Sequence, residues 1–98
     1  MKVISKDVLD RFIKKHSEMK NAVLTWKEVV QGQSWETPHN VKETFPKASH
    51  IGNCDWWFDL NYGGYRLLAK VNFNMKAVMV ISVNTHDEYL RISNKRKS

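Results

Sequence analysis

The spacing of apolar residues changes near the middle of the chain, and this change restricts the fold more than any other feature. In the first half, apolar residues recur with helical spacing over 8–13 and again over 19–30. In the second half, apolar and polar residues alternate over 56–61 and 65–73, which is typical of strands with one exposed face. Residues 77–83 are almost continuously apolar, which favours a strand covered on both faces. The sequence therefore predicts an α+β fold, in which an antiparallel sheet of three to four strands packs against an N-terminal helical hairpin.

Individual residues indicate where these elements begin and end. Residues 1–4 predict a short strand, and Ser5 is the expected N-cap of the first helix. Gly32 marks the end of the second helix, and Thr-Pro at 37–38 predicts the start of a third, shorter one. Residues 74–76 predict a tight turn before the last strand.

The length and composition fit one small domain. A chain of 98 residues buries enough surface for one core, so 1–98 is treated as a single domain with 94–98 as a basic, frayed tail. No apolar run approaches the roughly 20 residues of a membrane helix, and residues 1–10 lack the apolar region of a signal peptide. Because Cys54 is the single cysteine, it cannot form an internal disulfide, and we expect a cytoplasmic protein.

The charge favours a polyanionic partner. The chain has 16 basic and 10 acidic side chains, which gives a net charge of +6. A small domain with this excess of positive charge is typical of nucleic-acid binding more than of membrane binding. The alternative is that the domain is simply basic and soluble.

Two basic residues lie on the polar face of one predicted strand. Arg66 and Lys70 are four residues apart, so their Cα atoms are expected about 13 Å apart on that face. Both side chains are long enough to converge on one phosphodiester, with arginine giving a two-point grip and lysine a point charge. The alternative is an ordinary solvated sheet face, which often carries lysine and arginine.

A capping box predicts a short closing helix. Thr85 is the expected N-cap, Glu88 the third helical residue that reaches back to it, and the helix continues to about Ile92. His86 then occupies the first helical position, and Tyr89 shares its face. The helix N-terminus disfavours the imidazolium whereas a bound phosphate favours it, which suits acid or base catalysis. The alternative is that His86 only helps to begin the helix.

The other candidate residues predict no metal or cofactor site. The remaining histidines have no metal-ligand spacing with each other or with Cys54, so we expect surface or packing roles for them. They are His16, His39 and His50. Asp55 and Asp59 lie too far apart along a strand for a glycosidase-type pair. Trp56 and Trp57 are expected on opposite faces of a strand, so at least one should be exposed or covered by another chain.

Four short motifs in the second half resemble the HigB toxin family of the RelE/ParE superfamily. They are FDL at 58–60, YRL at 65–67, VNF at 71–73 and THDEY at 85–89. Residues 35–46 also resemble the middle segment of that family at the right spacing. Neither YRL nor THDEY is specific alone, but their combination about twenty residues apart is fairly specific.

The resemblance implies the toxin of a type II toxin–antitoxin system with the microbial RNase fold. Such toxins cleave messenger RNA, in several relatives only on the translating ribosome, and a helix-turn-helix, HigA-like antitoxin silences them. The implied reaction needs no metal or cofactor, because the 2′-OH of the substrate attacks the adjacent phosphorus.

The resemblance also implies roles for individual residues. Arg66 matches the arginine of the YRL motif and would stabilise the phosphorane, and His86 matches the closing-helix histidine as acid or base. Tyr89 matches the family tyrosine and would orient the phosphate, stack on a base, or simply pack. The further residues predicted to contact RNA are Asn61, Lys95, Arg96 and, from strand geometry alone, Lys70.

Several positions depart from the family pattern. Asp59 occupies a position where the family often has asparagine, Tyr62 replaces the usual glycine of the hairpin loop, and Leu90 replaces an aspartate. Asp59 and Tyr62 flank the expected substrate edge, so a different substrate or ribosome dependence is expected. Because Leu90 replaces this aspartate, one acidic side chain of the family pattern is missing.

Two other functions remain open from the sequence. A toxin of the same fold could act without catalysis on a protein target such as gyrase. A basic nucleic-acid-binding module could use the basic sheet face and the tail at 94–98.

Overall fold

The computed structural model describes residues 1–60 and 64–85. Within these residues the chain forms three α-helices and five β-strands, with a 3₁₀ turn between the first two helices. The helices are α1 (Val8–Lys15), α2 (Lys20–Gln31) and α3 (Pro38–Thr44). The strands are β1 (Lys2–Ile4), β2 (Ser49–Gly52), β3 (Asp55–Asp59), β4 (Arg66–Asn72) and β5 (Ala77–Asn84).

The five strands form one mixed sheet in the order β1-β5-β4-β3-β2. Strands β2 to β5 are the predicted antiparallel meander, whereas β1 adds a parallel edge beside β5. The α+β prediction is confirmed, and the sheet differs from it only in this fifth, parallel strand. The helices between β1 and the meander supply the long crossover connection that parallel pairing requires.

The first helix begins later than predicted. Ser5 is not its N-cap, because the chain turns at Lys6 and Asp7, both with positive φ angles of 43° and 71°. Asp7 is the N-cap and makes no side-chain capping bond, while the Val8 N–H donates to the Ser5 carbonyl at 2.8 Å. The second helix ends as predicted, with Gly32 as its C-cap.

The third helix begins with a reciprocal cap. The Asn40 N–H donates to Thr37 Oγ1 at 3.4 Å, and the Thr37 N–H donates to Asn40 Oδ1 at 3.1 Å. Pro38 occupies the first turn, where its missing N–H costs nothing. The predicted start of this helix is confirmed, and Asn40 is the second partner of the capping box.

An aromatic cluster fills the core between the helices and one face of the sheet. Phe58 of β3 stacks on Trp35 with a centroid distance of 6.3 Å, and its edge meets Trp26 and Phe45 at 5.4 Å each. Trp56 and Trp57 are both buried within this chain, so the prediction that one is exposed or covered by another chain is wrong. This sheet face is referred to below as the core face.

The last strand is less enclosed than its composition predicts. Val78 and Val80 of β5 are buried on the core face, but Met79 and Ile81 remain more than one-third exposed. The predicted burial of both faces of β5 is therefore wrong at Met79 and Ile81.

In the part of the chain that the structure describes, no helix is long and apolar enough to cross a bilayer.

Candidate functional site

The candidate site lies on the sheet face opposite the core, called here the outer face. Trp56 and Phe58 of β3 and Leu67 and Ala69 of β4 belong to the core cluster. Because successive side chains of a strand point to opposite faces, the residues between them lie on the outer face. These are Asp55, Trp57 and Asp59 of β3 and Arg66, Leu68 and Lys70 of β4.

Arg66 is held by an acidic residue on the neighbouring strand. Asp59 and Arg66 are directly opposite each other in the β3–β4 register. Arg66 Nη1 donates to Asp59 Oδ2 at 2.8 Å, and the two side chains are 25% and 17% exposed. A charge-assisted hydrogen bond of this length is stronger than a neutral one, and partial burial limits screening by salt. The guanidinium of Arg66 is therefore fixed in direction at the start of β4.

Lys70 forms a second cross-strand ion pair. Asp55 and Lys70 are also directly opposite in the register. Lys70 Nζ lies 2.7 Å from Asp55 Oδ1, with the lysine side chain 48% exposed and the aspartate 13% exposed. Between the two ion pairs lies an apolar pair of opposed residues, Trp57 and Leu68, both buried. The outer face thus alternates ion pair, apolar pair and ion pair along the hairpin.

The two ion pairs change what is expected of phosphate binding by Arg66 and Lys70. Arg66 and Lys70 share one face of β4, as the alternation predicted. Each cation is paired with a carboxylate of β3, so the four charges sum to zero. Convergence of the two cations on one phosphodiester stays a prediction, and such a ligand has to share them with Asp55 and Asp59.

Sequence reasoning missed these two aspartates as partners, although a signal was present. The acids at 55 and 59 and the bases at 66 and 70 have the same spacing of four residues. In an antiparallel hairpin, a register that places one of these acids opposite one of the bases therefore also places the other acid opposite the other base.

The residue before Arg66 is fixed from the core side. The Tyr65 hydroxyl lies 3.2 Å from His16 Nδ1, and the same nitrogen lies 3.5 Å from Glu18 Oε1. The Phe12 ring meets the edge of the Tyr65 ring at a centroid distance of 5.1 Å. These contacts join the end of α1 to the start of β4, so His16 has the packing role that the sequence predicted. They also restrict the backbone that carries Arg66.

The other predicted site residues lie outside the described part of the chain. They are His86, Tyr89, Asn61, Lys95 and Arg96. The predicted closing helix also lies outside it, apart from Thr85, which is exposed. Their assignments stay predictions, and Arg66 and Lys70 are the predicted site residues that the structure places.

The remaining candidates for metal binding do not cluster. Among residues 1–60 and 64–85, no group of three or more histidine, cysteine, aspartate or glutamate side chains has the geometry to hold a metal ion. His50 stacks on Trp56 with a centroid distance of 4.5 Å, and its Nε2 lies 2.7 Å from the Asn53 carbonyl oxygen. His39 lies 3.5 Å from Glu43 within α3.

Comparison with protein families gives a match to the HigB toxin family, described as a RelE-like toxic component of a toxin–antitoxin system. The match covers residues 19–92 of the 98-residue chain. It includes α2, α3 and the whole β2–β5 meander, and therefore both ion pairs of the outer face. Comparison with curated proteins gives no match.

Proposed function

This chain belongs to the HigB family, the RelE-like toxic component of toxin–antitoxin systems, and on that premise we propose that it is an endoribonuclease of messenger RNA. The observation that best supports the proposal is the placement of Arg66. This arginine of the YRL motif lies at the first residue of β4, where Asp59 orients its guanidinium on the outer face. An arginine fixed in this way is suited to stabilise negative charge on a phosphoryl group.

The proposed reaction is cleavage by the substrate's own 2′-hydroxyl. The 2′-oxygen forms a bond to the adjacent phosphorus while the bond from phosphorus to the 5′-oxygen breaks. One product then ends in a 2′,3′-cyclic phosphate, and the other begins with a 5′-hydroxyl. A base removes the proton from the 2′-hydroxyl, and an acid gives a proton to the leaving 5′-oxygen. Such proton transfers contribute roughly 10²–10⁴ in rate, and a donor to the charged transition state about 10²–10³.

Each residue has a specific role in this proposal. Arg66 stabilises the charge on the phosphorane, His86 acts as acid or base, and Tyr89 orients the phosphate. Lys70 contacts the RNA backbone from the same strand as Arg66, and its side chain is about half exposed. Asn61, Lys95 and Arg96 complete the proposed RNA contacts.

The toxin–antitoxin family implies an antitoxin as partner. We propose that this antitoxin is a HigA-like, helix-turn-helix protein, that the toxin acts in the cytoplasm on messenger RNA, and that the translating ribosome presents the substrate. Cleavage inhibits translation, which is how the chain would act as a toxin.

Transcript mapping after a short pulse of expression tests the activity. Wild type is compared with His86→Ala and with His39→Ala, which removes a mostly exposed histidine of α3 as a matched control. We expect wild type and His39→Ala to produce new 5′-hydroxyl ends inside open reading frames. In His86→Ala these ends should fall at least about 100-fold, since a general acid or base is lost. A His86→Ala protein that is folded and fully toxic would contradict the assignment of His86.

The same experiment separates the alternative functions. A constant register of the cut sites within codons would support cleavage on the ribosome, and an absence of register would contradict it. Intact transcripts with arrested growth would favour a non-catalytic toxin that acts on a protein such as gyrase. Intact transcripts with normal growth would favour a basic nucleic-acid-binding module, whose affinity should fall steeply with salt.

A further inference from the structure

A cleft lies between α2 and the end of β3, next to the ion pair of Arg66 and Asp59. Its volume is about 480 Å³. Its apolar lining includes Trp26, Val29, Phe45 and Leu60. Its acidic residues are Glu18 and Asp59, and none of the described residues that line it is basic.

One side of this cleft is a continuous helical face. The lining residues contributed by the segment from Glu18 to Val29 recur at intervals of three to four residues. At about 1.5 Å per residue, this face is about 16 Å long. That length matches roughly three turns of a partner helix, which would bring two or three apolar side chains onto the lining.

The charge of the cleft argues against RNA as its occupant. The chain as a whole has a net charge of +6, but the described lining of this cleft has two carboxylates and no basic side chain. Asp59 is already paired with Arg66, so Glu18 is the acidic residue of the lining that can attract a charged partner. Carboxylates repel phosphates, whereas they attract lysine or arginine side chains on a partner. The lining therefore complements a protein segment with an apolar face and a basic side chain.

The position of the cleft indicates which protein would use it. Asp59 lines the cleft and also holds Arg66 at 2.8 Å. A partner seated here would contact the carboxylate that orients the proposed catalytic arginine. Among the partners of a toxin, the antitoxin is the one that has to silence this site.

We propose that the cleft between α2 and β3 binds an amphipathic helix of the cognate antitoxin. Apolar side chains of that helix pack on Val29 and on the small exposed edges of Trp26 and Leu60, and a lysine or arginine pairs with Glu18. The proposal rests on the toxin–antitoxin assignment and, for the choice of occupant, on the proposed role of Arg66, whereas its test measures binding alone.

Two exposed apolar residues of α2 provide a matched test. Val29 lines the cleft and is 37% exposed, whereas Leu24 is 43% exposed and is not among the residues that line it. Val29→Asp and Leu24→Asp make the same change of charge on the same helix. The probe is the purified antitoxin that restores growth when co-expressed with the toxin, titrated calorimetrically into each full-length variant.

The expected result is a selective loss of affinity. Val29→Asp should weaken antitoxin binding about 10–100-fold, because it places a carboxylate against an apolar contact that the partner helix would make with the lining. Leu24→Asp should bind within about twofold of wild type, as expected for a residue outside a binding hot spot. Equal affinities for all three proteins, or equal losses in both variants, would overturn the proposal.

A second variant covers the case in which Val29→Asp fails to fold. Glu18 is an exposed rim residue, and Glu18→Lys should weaken binding about tenfold by repelling the basic side chain of the partner. Unchanged or tighter binding of Glu18→Lys would overturn the predicted ion pair. Binding is measured without catalysis, so a failure of the ribonuclease proposal would leave this result interpretable.

Discussion

The ion pair between Arg66 and Asp59 should stabilise the fold more than the ion pair between Lys70 and Asp55. The two pairs cross the same two strands at almost equal distances, 2.8 and 2.7 Å. They differ mainly in the cation, since the side chain of Arg66 is one-quarter exposed and that of Lys70 about half exposed. The hairpin therefore allows two ion pairs that differ in the type and in the exposure of the cation to be compared within one protein.

The expected magnitudes follow from that exposure. Two unit charges about 4 Å apart attract by about 4 kcal/mol at an effective dielectric constant of 20, before the cost of desolvation is subtracted. Exposed pairs retain about 0.2–1 kcal/mol of this in double-mutant cycles. We expect a coupling free energy of about 1–1.5 kcal/mol for Arg66 and Asp59, which form a partly buried, charge-assisted hydrogen bond. For Lys70 and Asp55 we expect about 0.5 kcal/mol, because the ammonium group stays solvated.

Two double-mutant cycles measure these couplings. Each cycle compares wild type, the two alanine variants and the double variant by urea unfolding at pH 7. Raising the salt concentration to about 1 M should reduce the Lys70 coupling by the larger fraction, because exposed pairs are screened more strongly. An equal or larger coupling for Lys70 and Asp55 would refute the argument that the less exposed arginine pair is the stronger of the two.

Three further changes test the packing that supports the site, each by urea unfolding. Phe58→Ala should lower the free energy of unfolding by about 3–5 kcal/mol, since the ring is fully buried among aromatic neighbours. A loss below about 2 kcal/mol would contradict the central place of Phe58 in the core. Thr37→Ala should lower the free energy of unfolding by about 1 kcal/mol, because the cap of α3 is lost. Thr25→Ala, at an exposed position within α2, is the control and should change this free energy by less than about 0.5 kcal/mol. Tyr65→Phe should cost about 0.5–1.5 kcal/mol by removing the hydroxyl contact with His16, and an unchanged stability would show that the ring packing alone holds the start of β4.

Local signals in the sequence predicted the elements well where neighbouring residues determine the conformation. The Thr-Pro start of α3 depends on a cap within four residues, and the structure confirms it. The turn before β5 is also confirmed: Asn72 Oδ1 accepts from the Met75 N–H at 3.0 Å, and Lys76 has a positive φ angle of 52°. In both places the side chain that fixes the backbone lies within a few residues.

Features that depend on distant contacts could not be predicted in this way. The pairing of β1 with β5 joins Lys2 to Ala77, and no local pattern indicates the direction of that pairing. The burial of both Trp56 and Trp57 likewise depends on what packs against each face of the sheet. Asp7 as N-cap was missed because serine and aspartate cap helices about equally well, so the side chains do not decide between Ser5 and Asp7. The left-handed turn at Lys6 and Asp7 decides where the helix begins.

The ion pair at Arg66 gives a physical meaning to one departure from the family pattern. An asparagine at position 59 could accept a hydrogen bond from the arginine, but it would carry no charge. The aspartate present here holds the guanidinium more firmly and also compensates its positive charge. Under the proposed function, the first effect favours catalysis, because an arginine that is already oriented needs little reorganisation as charge develops. The second effect weakens the attraction for a phosphodiester in the ground state, where uniform binding would not increase the rate of the chemical step. A guanidinium has five N–H donors in one plane and can hold two acceptors at once, so the carboxylate and the phosphorane can share it. Under the proposed function, Asp59 weakens the attraction of Arg66 for the phosphate in the substrate and in the phosphorane alike, and its contribution to catalysis is the orientation of the guanidinium.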